Sequence, residues 1–107
     1  MPVSIWLHTS KEYLVVLQSR KRRDSAFLQV ISNPAEDQRF GLIVSKKVAG
    51  AVGRNKIKRQ LRAIIRNNLD DIPKSWIIIK AKPPSVDLNY WQLQEQFFSL
   101  LIGSAAQ

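Results

Sequence analysis

SKKVAGAVGRNKIKRQLRAIIRNNL, Ser45 to Leu69, is the stretch that decides how this chain folds. From Arg54 onward, Ile57, Leu61, Ile64, Ile65 and Leu69 recur at three- and four-residue spacing, which predicts a helix with one apolar face. The rest of its circumference is cationic. Arg54, Lys58, Arg62 and Arg66 follow at four-residue steps, Lys56 and Arg59 flank them, and no acid interrupts the run before Asp70. Burying each aliphatic side chain is worth roughly 1.5–3 kcal/mol, whereas like charges one turn apart cost only about 0.2–0.5 kcal/mol per pair. Folding therefore tolerates the charge row without needing it. A mixed-charge face would be read as a solvated surface, but six cations with no balancing anion favour a face that binds a polyanion.

Composition sets the outer bounds. A chain of 107 residues that is 45% apolar supports one core, so residues 1–107 are expected to form a single domain. Seventeen Lys and Arg against eight Asp and Glu leave a formal charge of +9, which points to nucleic acid, an anionic membrane or an acidic protein. Without cysteine there is neither a disulfide framework nor a thiolate metal site. The first residues, MPVSIWLHTSKEY, lack the pattern of a secretory signal, and no apolar run is long enough to span a membrane, so a cytoplasmic location is expected.

On the N-terminal side of the basic stretch, Thr9 and Glu12 form a capping-box pattern. The helix it opens has Tyr13, Val16 and Leu17 on one face, and the cluster Arg20-Lys21-Arg22-Arg23 ends it as a solvated loop, with phosphate contact as the alternative. Ser25 to Ser32 and Arg39 to Ser45 read as an antiparallel pair of strands joined through a loop at Asn33-Pro34 and Glu36-Asp37. Gly41 would weaken the second strand unless another backbone approaches or a bulge occurs there. Gly50 and Gly53 mark a turn whose amides would suit an oligonucleotide phosphate, although the Gly-Lys-Ser/Thr ending of a P-loop is missing.

On the C-terminal side, Asp70 to Pro73 stops the basic helix, and the apolar run Trp76 to Ala81 predicts a strand covered on both faces. Asn89 and Gln92 form a second capping box. It opens a last helix with Tyr90, Leu93, Phe97, Leu100 and Leu101 on its apolar side, ending before Gly103. The order is helix, strands, helix, strand, helix. Strand, basic helix and strand make a βαβ unit, for which the ordinary hand is right.

Catalytic residues are hard to find. His8 is the only histidine and reads as a surface residue, and Glu36-Asp37 and Asp70-Asp71 sit in turns, so no side-chain catalytic or metal-ligating set is assigned. Tyr13 and Phe27 would stack bases if they shared a basic groove; the alternative is core packing.

Three blocks resemble the protein subunit of bacterial ribonuclease P. They are Lys11-Glu12-Tyr13, the segment FGLIVSKKVAGAVGRNKIKRQLRAIIR from Phe40 to Arg66, and WIIIKAKP from Trp76 to Pro83 followed by Leu88-Asn89-Tyr90. The resemblance implies an α+β fold, a two-layer α/β sandwich of order αβββαβα with a left-handed βαβ crossover. It implies an accessory subunit of an endoribonuclease that removes the 5′ leader of precursor tRNA. Its partners would be the ribonuclease P catalytic RNA, one protein per RNA, and precursor tRNA, with no membrane. Mg²⁺ would be bound mainly by the RNA and catalysis carried there, with no cofactor held by the protein alone. On this model Lys46, Lys47, Arg54, Asn55, Lys56, Lys58, Arg59, Arg62 and Arg66 meet the catalytic RNA, while Tyr13, Leu17 and Phe27 line the leader cleft. Lys56 replaces the motif's usual second Arg, which removes a planar fork, and Leu17 stands where a second cleft aromatic is common. Met1 to Leu7 is more apolar than the family's basic leader segment and is given no binding role. The alternative is a ribosomal-protein-like RNA-binding module with no enzymatic complex.

Overall fold

The most apolar strand sits at the centre of the sheet. In a computed structural model that describes residues 5–101, β4 (Ser75–Ala81) is flanked by β2 (Leu28–Pro34), antiparallel, and by β3 (Arg39–Ile43), parallel. Ile77, Ile78 and Ile79 are all fully buried, Ile77 and Ile79 in one core cluster and Ile78 in another, as a strand covered on both faces requires. β1 (Lys21–Asp24) pairs with β2 and completes the order β1-β2-β4-β3.

Helices cover both faces. α1 (Ser10–Leu17) brings Val16, Tyr13 and Leu17 onto Leu7, Ile31 and Ile78. On the opposite face, Ile57, Leu61, Ile64 and Ile65 of α2 (Ala51–Asn67) and Leu93 and Phe97 of α3 (Tyr90–Leu101) close over Leu28, Val30, Phe40, Ile77 and Ile79. The expected capping boxes are made. The Thr9 hydroxyl accepts from the Glu12 amide at 3.1 Å while Glu12 accepts from Thr9, and Asn89 and Gln92 exchange the equivalent bonds. Helices and strands follow in the order αβββαβα, an α+β fold.

Several boundaries differ from the sequence expectation. The basic cluster is an edge strand rather than a loop, because the Ser25 hydroxyl accepts from the amides of Phe27 and Leu28 and turns the chain into a β1–β2 hairpin. β2 consequently starts at Leu28 and runs through Asn33 to Pro34, which faces Ser75 at the strand end. β2 and β3 are not paired with each other: β4 lies between them, since the strand with the most apolar surface gains most from the double-sided position. α2 begins at Ala51 with Gly50 as its cap, so Gly53 belongs to the first turn of the helix. Leu69 falls in a short 3₁₀ turn (Leu69–Asp71) beyond α2 and still packs on the core. The expected helix end at Gly103 lies outside the described residues.

Candidate nucleic-acid interface

α2 turns its charge outward. Its four fully or almost fully buried residues hold one side to the sheet, leaving Asn55, Lys56, Arg59, Arg62 and Arg66 exposed and Arg54 and Lys58 half-buried. Arg54 is fixed by donating from Nη1 to the Ala49 carbonyl at 2.9 Å. Lys46 and Lys47 are exposed in the turn leading to the helix, closed by the Val48 amide on the Ser45 carbonyl at 3.0 Å. Gly53 is required by a close approach: a Cβ there would lie 2.7 Å from that of Ala49.

Among the described residues, no acid neutralises any of these cations. Among the described residues, ion pairs join Arg39 to Glu12 at 2.8 Å and to Asp37 at 3.1 Å, and Lys82 to Asp24 at 2.9 Å, and none involves α2. The charge row is therefore an open cationic surface, whose potential is strongest where side chains from neighbouring turns lie together.

Glu12, Arg39, Asp37 and Trp76 form a separate network that positions α1. Glu12 Oε1 accepts from the backbone amides of His8 at 2.7 Å and Thr9 at 3.0 Å, and these bonds, with Arg39 alongside, hold its carboxyl below the usual range. The Trp76 indole donates to Asp37 at 2.7 Å, which together with Arg39 lowers the Asp37 carboxyl too. The Arg39 guanidinium also lies 5.2 Å from the Trp76 ring centroid. Glu12 thus ties the start of α1 to β3 and sets the next residue, Tyr13, against the sheet.

Tyr13 lies on Gly41. A Cβ on that glycine would be 2.6 Å from the tyrosine Cε2, so the strand accepts an aromatic ring where a backbone neighbour or bulge was expected. Beside it, at the outer edge of β3, a cavity of about 330 Å³ is lined by Trp6, Tyr13, Leu42, Lys58 and Arg62, among others. Tyr13 and α2 lie on opposite faces of the sheet, and this cavity is where they meet. An aromatic wall beside two cations suits a nucleotide, with its base on the ring and its phosphate on the charges.

A family model described as Ribonuclease P matches residues 1–103. The chain belongs to the ribonuclease P protein family. It is 47% identical over 101 residues to the ribonuclease P protein component of Syntrophomonas wolfei, a match covering 92% of this chain and 85% of that one. It is 38% identical over 96 residues to that of Finegoldia magna, covering 88% and 85%. The fold is similar to that of the Staphylococcus aureus RNase P protein, with a TM-score of 0.86 at 24% identity over 95% of this chain and 96% of that one.

Within this family member, the structure groups some of the expected site residues and separates others. Lys58 and Arg62 meet Tyr13, and Leu17 packs with Tyr13 on the α1 side. Phe27 does not join them. It precedes β2 and packs against the α2–α3 core, while Ile31, on the alternate face of the strand, supports α1. Phe27 and Ile31 would share one face of a strand running from Ser25; because the strand begins only at Leu28, alternation governs Ile31 and leaves Phe27 outside it. Sequence reasoning also missed Trp6. The segment Ile5 to Leu7 runs beside β3, with the Phe40 amide on the Ile5 carbonyl and the Leu7 amide on the Phe40 carbonyl, both at 2.8 Å. This sets the Trp6 ring 5.7 Å from the Arg66 guanidinium, so part of the segment given no role borders the basic face; Met1 to Ser4 lie outside the described residues. Among the described residues, no three His, Cys, Asp or Glu side chains are grouped to hold a metal.

Proposed function

We propose that this chain is the protein subunit of a ribonuclease P ribonucleoprotein and assists removal of the 5′ leader from precursor tRNA. Lys46, Lys47, Arg54, Asn55, Lys56, Lys58, Arg59, Arg62 and Arg66 bind the catalytic RNA. Tyr13, with Leu17 beside it, takes the single-stranded leader. Hydrolysis belongs to the RNA and its Mg²⁺ ions, and the protein neutralises phosphates and grips the substrate in the cytoplasm, one copy per RNA. The observation that carries this reading is an unneutralised cationic helix meeting an aromatic side chain in one cavity. Family membership favours it over a ribosomal-protein-like module. No described helix is long and apolar enough to cross a membrane, and the apolar face of α2 is occupied by the domain's own core.

The deciding experiment is reconstitution. At physiological Mg²⁺, the protein together with a bacterial ribonuclease P RNA should process precursor tRNA when neither does so alone. An RNA that gains nothing from the protein would overturn the reading.

A further inference from the structure

The four-cation cluster that precedes β2 is not part of the α2 face, and the sheet register sorts its members. Arg22 stands opposite Ile31 and is tied back to α1, donating to the carbonyls of Leu17 and Ser19. Lys21 stands opposite Ser32 and Arg23 opposite Val30, so both share the sheet face that α3 covers. There they border a second cavity of about 330 Å³, with Lys74 on the rim and Val30, Leu100 and Leu101 among its apolar lining. Among the described residues, none of these three cations has an ion-pair partner and no acid lines the cavity. Cations that converge on a concavity without an anion repel one another and contribute nothing to the fold, so the arrangement suits an anionic ligand.

We propose that this cavity is a second RNA-binding site, separate from α2. It takes one nucleotide of a single strand, with the phosphate on Lys21, Arg23 and Lys74 and the base on Val30, Leu100 and Leu101. The volume is at the lower end of that of small-ligand sites, which suits one nucleotide. Apolar contact beside the charges favours a nucleotide over a bare phosphate. An acidic peptide added along β1 is the less suitable occupant, because this edge strand is only four residues long and would give little backbone pairing.

The test uses the full chain and no ribonuclease P RNA, so its result is independent of the reconstitution. Adenosine monophosphate titrated into ¹⁵N-labelled protein should shift the amides of Arg23, Lys74 and Ser75 saturably, and inorganic phosphate should do so more weakly. K21Q/R23Q/K74Q should abolish these shifts, and R54Q/K58Q/R62Q should leave them in place. For a short single-stranded RNA, the first variant should lower the slope of log affinity against log salt by about 0.7, the value of one neutralised phosphate. Shifts confined to α2, shifts that survive in K21Q/R23Q/K74Q, or an oligoglutamate peptide that competes as well as the nucleotide would each overturn the proposal.

Discussion

Substituting Gly41 tests how the aromatic wall is held. A Cβ on Gly41 would sit 2.6 Å from Tyr13 Cε2 and 2.8 Å from Cζ, whereas carbon atoms in contact prefer about 3.5–4.0 Å. Ring or strand must therefore move by roughly 1 Å. The strand has little room, because Gly41 faces Ile78 in the parallel ladder and the adjacent Phe40 is bonded on both sides to Ile5 and Leu7. Tyr13 must give way. Overpacking of this kind costs about 1–3 kcal/mol, which in urea would lower the unfolding midpoint by roughly 1 M. The informative measurement is a double-mutant cycle. In a Tyr13→Ala background the obstructing ring is gone, so Gly41→Ala should cost little there, and the coupling between the two sites should exceed about 1 kcal/mol. If Gly41→Ala is equally destabilising in both backgrounds, the glycine is required by something other than Tyr13 and the account of the wall fails. On the proposed function, displacing the ring should also weaken leader binding by about 1–3 kcal/mol, the value of one stacked base.

Other perturbations separate folding from binding. Arg54, Lys58 and Arg62 changed together to Ala should leave the circular dichroism spectrum unchanged and prevent assembly with the catalytic RNA; normal assembly would refute the assigned face. Leu61→Ala, at a fully buried position in the α2 core, should cost about 2–5 kcal/mol in denaturant unfolding, and a negligible cost would mean that α2 packs differently. The Glu12 carboxyl titrates below its ordinary value of 4.5 because of the His8 and Thr9 amides, then Arg39. Its contribution is present above that value and lost as pH falls through the depressed one. Glu12→Gln should therefore be less stable at neutral pH and lose less on acidification, and an unchanged acid limb in thermal melts would contradict this.

The parts of the fold that were legible in sequence are those written in side-chain period or in caps. α2, α3, β4 and both capping boxes follow from local spacing, because each signal acts within a few residues of its cause. Strand pairing was less accessible. That β4 separates β2 from β3 depends on competition among strands for the two-sided position, and alternation within each strand says nothing of its neighbour. The basic cluster was misread because β1 is exposed at all four positions and has no apolar alternation. Its pairing is set by the Ser25 turn. In the site, the charges of α2 were evident from spacing, but their meeting with Tyr13 at the edge of β3 is a long-range fact. Trp6 was invisible for the same reason: its place beside Arg66 depends on the bonds of Ile5 and Leu7 to Phe40.

Three of the chain's eight acids are placed where they join elements. Glu12 and Asp37 fasten α1 and β4 to Arg39, and Asp24 fastens β1 to Lys82, which leaves α2 uncompensated. Stability and RNA affinity should then respond to salt with opposite signs. Along α2, the pairs Arg54–Lys58, Lys58–Arg62 and Arg62–Arg66 each oppose folding by about 0.2–0.5 kcal/mol, together about 1 kcal/mol. Screening shortens from about 10 Å at 0.1 M to 3 Å at 1 M, so added KCl should relieve most of that repulsion and raise the melting temperature of the free protein. The same salt should weaken the complex, by about a thousandfold between 50 and 200 mM for six phosphate contacts. A melting temperature that falls with KCl would mean that attractive pairs dominate the surface and that the helix is not the unbalanced element. An RNA complex indifferent to salt would mean that its cations do not meet phosphates.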